Sequence, residues 1–265
     1  MKKYFFTIVS LLTALSIIAH EFWLQPDRFI LKPGQPVNIR FWVGENFVGE
    51  NWAGNNKKIK TLSLNTQKET KDITASLSGA TGDSLKLSIT EEGTAMLLYN
   101  STNSFILLQA IKFNEYLKED GLQNAIDYRT TNHENDSAGR EFYQRSVKTL
   151  LQAGKKMTRN ILNQTSLPLD IVPLQNPYST TAKDSLHFKI FFNKELLSNQ
   201  LIKIWHRVNN KTTATQILTN GAGEIAIKNN RSGKWMVSTV KMIHLQNEEK
   251  ADWQSYWASC TWGYY

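Results

Sequence analysis

Residues 36–43, Pro-Val-Asn-Ile-Arg-Phe-Trp-Val, set Val37, Ile39, Phe41 and Val43 at every second position. Asn38, Arg40 and Trp42 fall between them. A period of two is that of a strand with one face buried. The turn cluster Pro33-Gly34-Gln35-Pro36 stands just before it. Shorter runs of the same kind follow at 59–64, 84–90, 94–99 and 105–112, separated by turns containing Gly and Asn. Short strands with that punctuation predict an antiparallel sandwich.

Past residue 112 the period changes. Phe113, Tyr116 and Leu117 are spaced for one face of a helix, with Gly121 as its stop. Leu122, Ala125 and Ile126 open a second helix, and a polar loop spans 130–139. Tyr143, Val147, Leu150, Leu151 and Gly154 fit one face of a third helix, with Arg145, Lys148 and Gln152 on the other. Strand periodicity returns after residue 166. Leu186, Phe188, Ile190 and Phe192 share one face, as do Ile202, Ile204, His206 and Val208. Asn220-Gly221-Ala222-Gly223 marks a turn between 215–219 and 224–228. Runs at 234–243 and 255–262 complete a second set of strands. The chain therefore reads as mainly β. Two antiparallel β-sandwich domains of the immunoglobulin or transthyretin type are expected, over 20–165 and 166–265, with a helical insertion at about 113–162.

The chain has 265 residues, 41% hydrophobic and 20% charged, which excludes a disordered or fibrous protein. Cys260 is the single cysteine, so an intramolecular disulfide and cysteine-based zinc sites are excluded. The net charge is +8, but Lys and Arg are scattered, and no nucleic-acid partner is expected. Met1-Lys2-Lys3 and the uncharged run 4–19 read as a secretory signal peptide over residues 1–19. The run is shorter than a membrane-spanning helix needs. Ala19 is the expected cleavage residue, with a cut after Ser16 as the alternative. The mature protein is expected to be periplasmic or secreted, and not integral to a membrane.

No phosphate-binding loop, dinucleotide fingerprint, HExxH or GxSxG motif occurs. An enzyme is therefore not expected. Cleavage after Ala19 would make His20 the first residue. Its α-amine and ring Nδ1 would then chelate one ion, as in copper-type or nickel-type nitrogen sites. His206 shares an apolar strand face, as a core-edge residue satisfied by backbone groups or as a ligand. His244 follows Met242 by two positions. That pair suits a soft ion, or else Met242 fills the core and His244 begins a loop. His20, His206, His244 and Met242 are thus the candidate metal ligands. Trp253, Tyr256, Trp257, Trp262, Tyr264 and Tyr265 crowd the last thirteen positions. They form either a sugar-stacking platform or a terminal strand that closes the core. Alternation along 255–262 favours the strand.

Several stretches resemble the DUF4198 family of exported bacterial proteins. They are 19–26 (Ala-His-Glu-Phe-Trp-Leu-Gln-Pro), 113–122, 140–150, 169–173 with Asn176-Pro177-Tyr178, 233–237 and 252–259. Members have been labelled periplasmic components of nickel or cobalt uptake systems. The resemblance implies an exported, non-enzymatic protein that binds a divalent transition metal (nickel, cobalt or copper) and assists its uptake. An inner-membrane metal transporter would be the partner. The alternative expectation is a carbohydrate- or surface-binding module that uses the C-terminal aromatics.

Overall fold

The structure is a computed structural model and describes residues 20–52, 56–78 and 83–265. The expected signal peptide and its cleavage position lie outside the described residues. In chain order, the first half holds β1 (Glu21–Pro26), β2 (Ile30–Leu31), β3 (Pro36–Glu45), β4 (Val48–Asn51), β5 (Ile59–Asn65), β6 (Thr70–Asp72), β7 (Ser84–Ser88), β8 (Gly93–Ser101) and β9 (Ser104–Leu108). Helices α1 (Ala110–Glu119) and α2 (Gln123–Thr131) follow, then β10 (Gly139–Ala153). The second half holds β11 (Leu169–Pro173), β12 (Ser185–Phe192), β13 (Glu195–Leu196), β14 (Leu201–Val208), β15 (Lys211–Leu218), β16 (Glu224–Lys228), β17 (Lys234–His244) and β18 (Trp253–Gly263).

A ten-stranded sheet runs through the centre in the order β15-β14-β17-β18-β10-β8-β5-β6, with β2 and β9 also paired to β10. Strands from both sides of residue 165 build it. The join is the parallel pairing of β10 with β18, from Glu141 opposite Trp253 to Thr149 opposite Thr261. A four-stranded sheet of β1, β3, β4 and β7 covers one face. Phe22, Leu24, Val37, Ile39 and Phe41 pack there on Leu97, Tyr99, Val147 and Leu151. A second four-stranded sheet, β11, β12, β13 and β16, covers the other face. Its Ile171, Phe188 and Ile190 meet Leu98, Leu150, Ile204, Val237 and Trp262. Two separate sandwiches would each have their own pair of sheets. Here a single central sheet serves as the inner layer for both covers.

The third expected helix is a strand. Residues 143–153 lie in β10, which pairs with β18 on one side and with β8 and β9 on the other. Both its faces are covered, so residues 146–153 are all buried, polar and apolar alike, and the period of two disappears. Val147, Leu150 and Leu151 fit a helical face only by coincidence. At the Asn220–Gly223 turn the chain changes layers, since β15 pairs with β14 and β16 with β12.

The two helices lie between β9 and β10. Gly121 takes φ +64°. The Leu122 amide donates to Leu117 O and the Gly121 amide to Lys118 O, a left-handed closure of the helix end. Phe113, Tyr116 and Leu117 of α1 and Ala125 of α2 bury against Val240, Met242, Trp253 and Trp257. They share the face of the central sheet that carries the β1 sheet.

One buried ion pair ties the central sheet to its second cover. Lys148 Nζ lies 2.6 Å from Asp170 Oδ1 and donates to Ile171 O at 2.9 Å. Asp170 Oδ2 accepts from the amide and hydroxyl of Thr165.

Gly233, at the entry to β17, has φ +59°, and a Cβ there would stand 2.1 Å from the Arg207 carbonyl oxygen. Gly233→Ala is expected to cost about 2 kcal/mol, from the left-handed backbone and the displaced carbonyl. Urea titration reads it, and an unchanged midpoint would show that this entry has slack.

Candidate functional site

β1 runs edge-on across the central sheet. The Ser259 hydroxyl donates to Phe22 O and the Thr149 hydroxyl to Leu24 O. That placement turns Glu21 inward, where it is 5% exposed. Its partner is Lys203 of β14, whose Nζ lies 3.9 Å from Glu21 Oε1 and 2.6 Å from Asp120 Oδ1. Asp120 is positioned by the end of α1 and is also buried. Burial pulls the Lys203 ammonium down, but Asp120 and Glu21 together hold it above its ordinary value. Lys203 is therefore charged, with Asp120 as its contact partner. Burial raises the Asp120 carboxyl to about 6, against the pull of Lys203. Burial raises the Glu21 carboxyl to about 7, Lys203 opposing and Asp120 and Glu45 reinforcing.

A third acid lies close enough to feel Asp120. Glu141 of β10 is 2% exposed, and burial raises its carboxyl to about 7. Its Oε1 accepts from Tyr116 Oη at 3.3 Å and from the Ser255 hydroxyl in a short contact. Trp257 Nε1 donates to Ser255 Oγ at 3.0 Å, and the Trp257 ring stacks on Tyr116. Glu141 Oε2 has no hydrogen-bond partner among the described residues. Glu21, Asp120, Lys203, Ser238 and Trp257 help line a cavity of about 10 Å³. That is room for one water molecule, and no organic substrate fits. Two carboxyls with raised proton affinity face Lys203, and a third, Glu141, acts on Asp120; such groups can hold or exchange protons.

The residues singled out from sequence are not brought together. His206 of β14 lies on the face carrying Ile202 and Ile204. Its ring stacks on Trp235 at 3.7 Å and its Nε2 lies 2.9 Å from Ser232 O. Burial holds it below its ordinary value. It is the core-edge histidine satisfied by backbone. His244 ends β17 on the opposite face, its ring stacked on Tyr128 at 4.1 Å. Met242 is fully buried under the helices. His206 pairs across from Trp235, nine positions before His244 on the same strand. At strand rise the two imidazoles stand roughly 30 Å apart. A single coordination sphere of His20, His206, His244 and Met242 does not fit this fold. Among the described residues no three His, Cys, Asp or Glu side chains gather in a metal-holding arrangement. Of the four, only His20 adjoins the acid cluster, through Glu21.

Sequence reasoning missed Glu21, Asp120, Glu141 and Lys203. Glu21 lies in a run of inward residues, Glu-Phe-Trp-Leu, and that company was the available signal. The C-terminal rings are core: Trp253, Trp257 and Trp262 are buried in β18, while Tyr265 is half exposed. No platform of stacked rings faces solvent there. Among the described residues no helix is long and apolar enough to cross a membrane.

These features define a mainly β protein of three layers, with a buried acid cluster held between its first strand, its helices and the central sheet. Residues 17–242 match DUF4198, described as a domain of unknown function, and the chain belongs to that family. No curated protein matches the chain.

Proposed function

We propose that this DUF4198 protein is exported, is not an enzyme, and binds a divalent transition metal at an amino terminus created by cleavage after Ala19. The observation that carries the reading is the position of His20. It stands directly before Glu21, in a neighbourhood where Glu21 and Asp120 face Lys203 and Glu45 acts on both acids. Once these acids ionise, above about pH 7, their charge beside the terminus favours a cation there. The α-amine and ring of His20 would hold the ion, a nitrogen set suited to Ni(II) or Cu(II). The water-sized cavity supports a binding role over chemistry on an organic substrate. An uptake transporter would be the partner that receives the ion.

Nitrogen ligands bind metal unprotonated, so affinity is expected to fall with pH. Calorimetry with nickel and with copper should compare the chain starting at His20 with one carrying an extra residue before it. The extension moves the amine away from the ring, and at least a tenfold loss of affinity is expected. Equal affinities would remove His20 as the anchor.

A further inference from the structure

A cleft beside β5 and β6 has a volume of about 1090 Å³. One wall is the hairpin of β5 and β6, and the other is the segment 159–166 that follows β10. Met96 and Leu98 of β8 form the floor. The site is separate from the acid cluster and does not depend on the metal-binding reading.

The lining has an unusual chemistry. Five carboxamides face it: Asn65, Gln67, Asn160, Asn163 and Gln164. Two bonds brace them across the gap. Asn160 Nδ2 donates to Asn65 Oδ1 at 2.9 Å, and the Arg159 amide donates to Gln67 Oε1 at 3.4 Å. Asn160 Oδ1 is shielded from solvent yet has no partner. Three cations, Lys68, Arg159 and Lys194, line the cleft with a single acid, Glu69. Lys194 donates to Thr165 O in a short contact. The Lys68 and Arg159 side chains are exposed and belong to none of the ion pairs among the described residues.

These observations select a ligand. Carboxamides present a donor and an acceptor side by side, which matches neighbouring hydroxyls of a sugar ring. An aliphatic floor suits its C–H face. No aromatic side chain lines the cleft, so ring stacking cannot supply the affinity. Hydrogen bonds alone largely exchange for those to water. The surplus positive charge must then provide the attraction, and it does so only for an anionic chain. We infer that this cleft binds an acidic oligosaccharide, with Lys68 and Arg159 pairing its carboxylates or sulfates and the lining carboxamides bonding its hydroxyls.

The test is calorimetry of the whole protein with an oligogalacturonate hexamer, beside neutral maltohexaose and a hexaglutamate peptide. The acidic sugar is expected to bind at least tenfold more tightly than either, and more weakly as salt rises. Lys68→Gln with Arg159→Gln changes two exposed side chains and is expected to lose tenfold or more for the acidic sugar. Asn160→Asp adds an acid to the lining, is read by the same titration and should also weaken it. No binding at millimolar sugar, equal binding of the neutral hexamer or of the peptide, or an unaffected double variant would each overturn the assignment.

Discussion

Lys148→Met is expected to lower the stability of the fold by about 3–5 kcal/mol, the cost of stranding a buried carboxylate. Methionine keeps the length of the lysine stem, so packing between β10 and the second cover changes little. What is lost is the 2.6 Å partner of Asp170, in a place where both side chains are almost fully shielded. Asp170 keeps the Thr165 amide and hydroxyl, and these alone leave its charge undercompensated. For a chain of this length, a melting temperature about 10 °C lower corresponds to that loss. The double variant Lys148→Met, Asp170→Asn removes both charges and should recover most of it. A single-variant loss below about 1 kcal/mol, read by urea titration, would show that water reaches Asp170 and that the pair is not sealed.

The second large effect is with pH. Glu141 and Glu21 titrate near 7 in the folded chain and Asp120 near 6, each against an ordinary value of 4.5 or 3.8. Between about pH 4.5 and 7 the folded state therefore binds more protons than the unfolded one. Stability is greatest at the acid end of that window and falls as pH rises through the folded values. Glu141 alone accounts for about 3 kcal/mol as an upper bound. His206 is held below its ordinary value of 6.5 by burial, so it acts in the opposite direction just below that value. Denaturation at pH 5, 6, 7 and 8 should show the decline, and Glu141→Gln should flatten part of it. A stability that is level or rising from pH 5 to 8 in the native chain would mean these acids are already ionised at the acid end.

The strands with one open face were legible from their residues. Val37, Ile39 and Phe41 of β3 and Leu186, Phe188 and Ile190 of β12 alternate because one side meets a core and the other meets solvent or an edge. β10 was not legible, because a strand covered on both faces loses its period. Its parallel partner β18 begins one hundred residues later, and no local pattern announces pairing at that separation. The helices were legible from Phe113, Tyr116, Leu117 and Gly121. The acid cluster was not. Glu21 sits among apolar residues, but Asp120 reads as a helix end and Glu141 carries no local signal. Only the fold brings them under β1. The histidines illustrate the converse, since each had a good local rationale and the register of β14 with β17 separated them.

The position of β18 has a kinetic consequence. The last strand of the chain is an interior strand of the central sheet, lying between β17 and β10. A polypeptide that emerges from a ribosome or a translocation pore amino terminus first cannot close that sheet until residues 253–263 arrive. Until then β10 and β17 each present an unpaired edge, a template for pairing with other chains. The contacts that seal the molecule are among the most distant in sequence, so closure is slow relative to local hairpins and helices. The fold thus concentrates its exposure to misassembly in the interval before its final eleven-residue strand is seated.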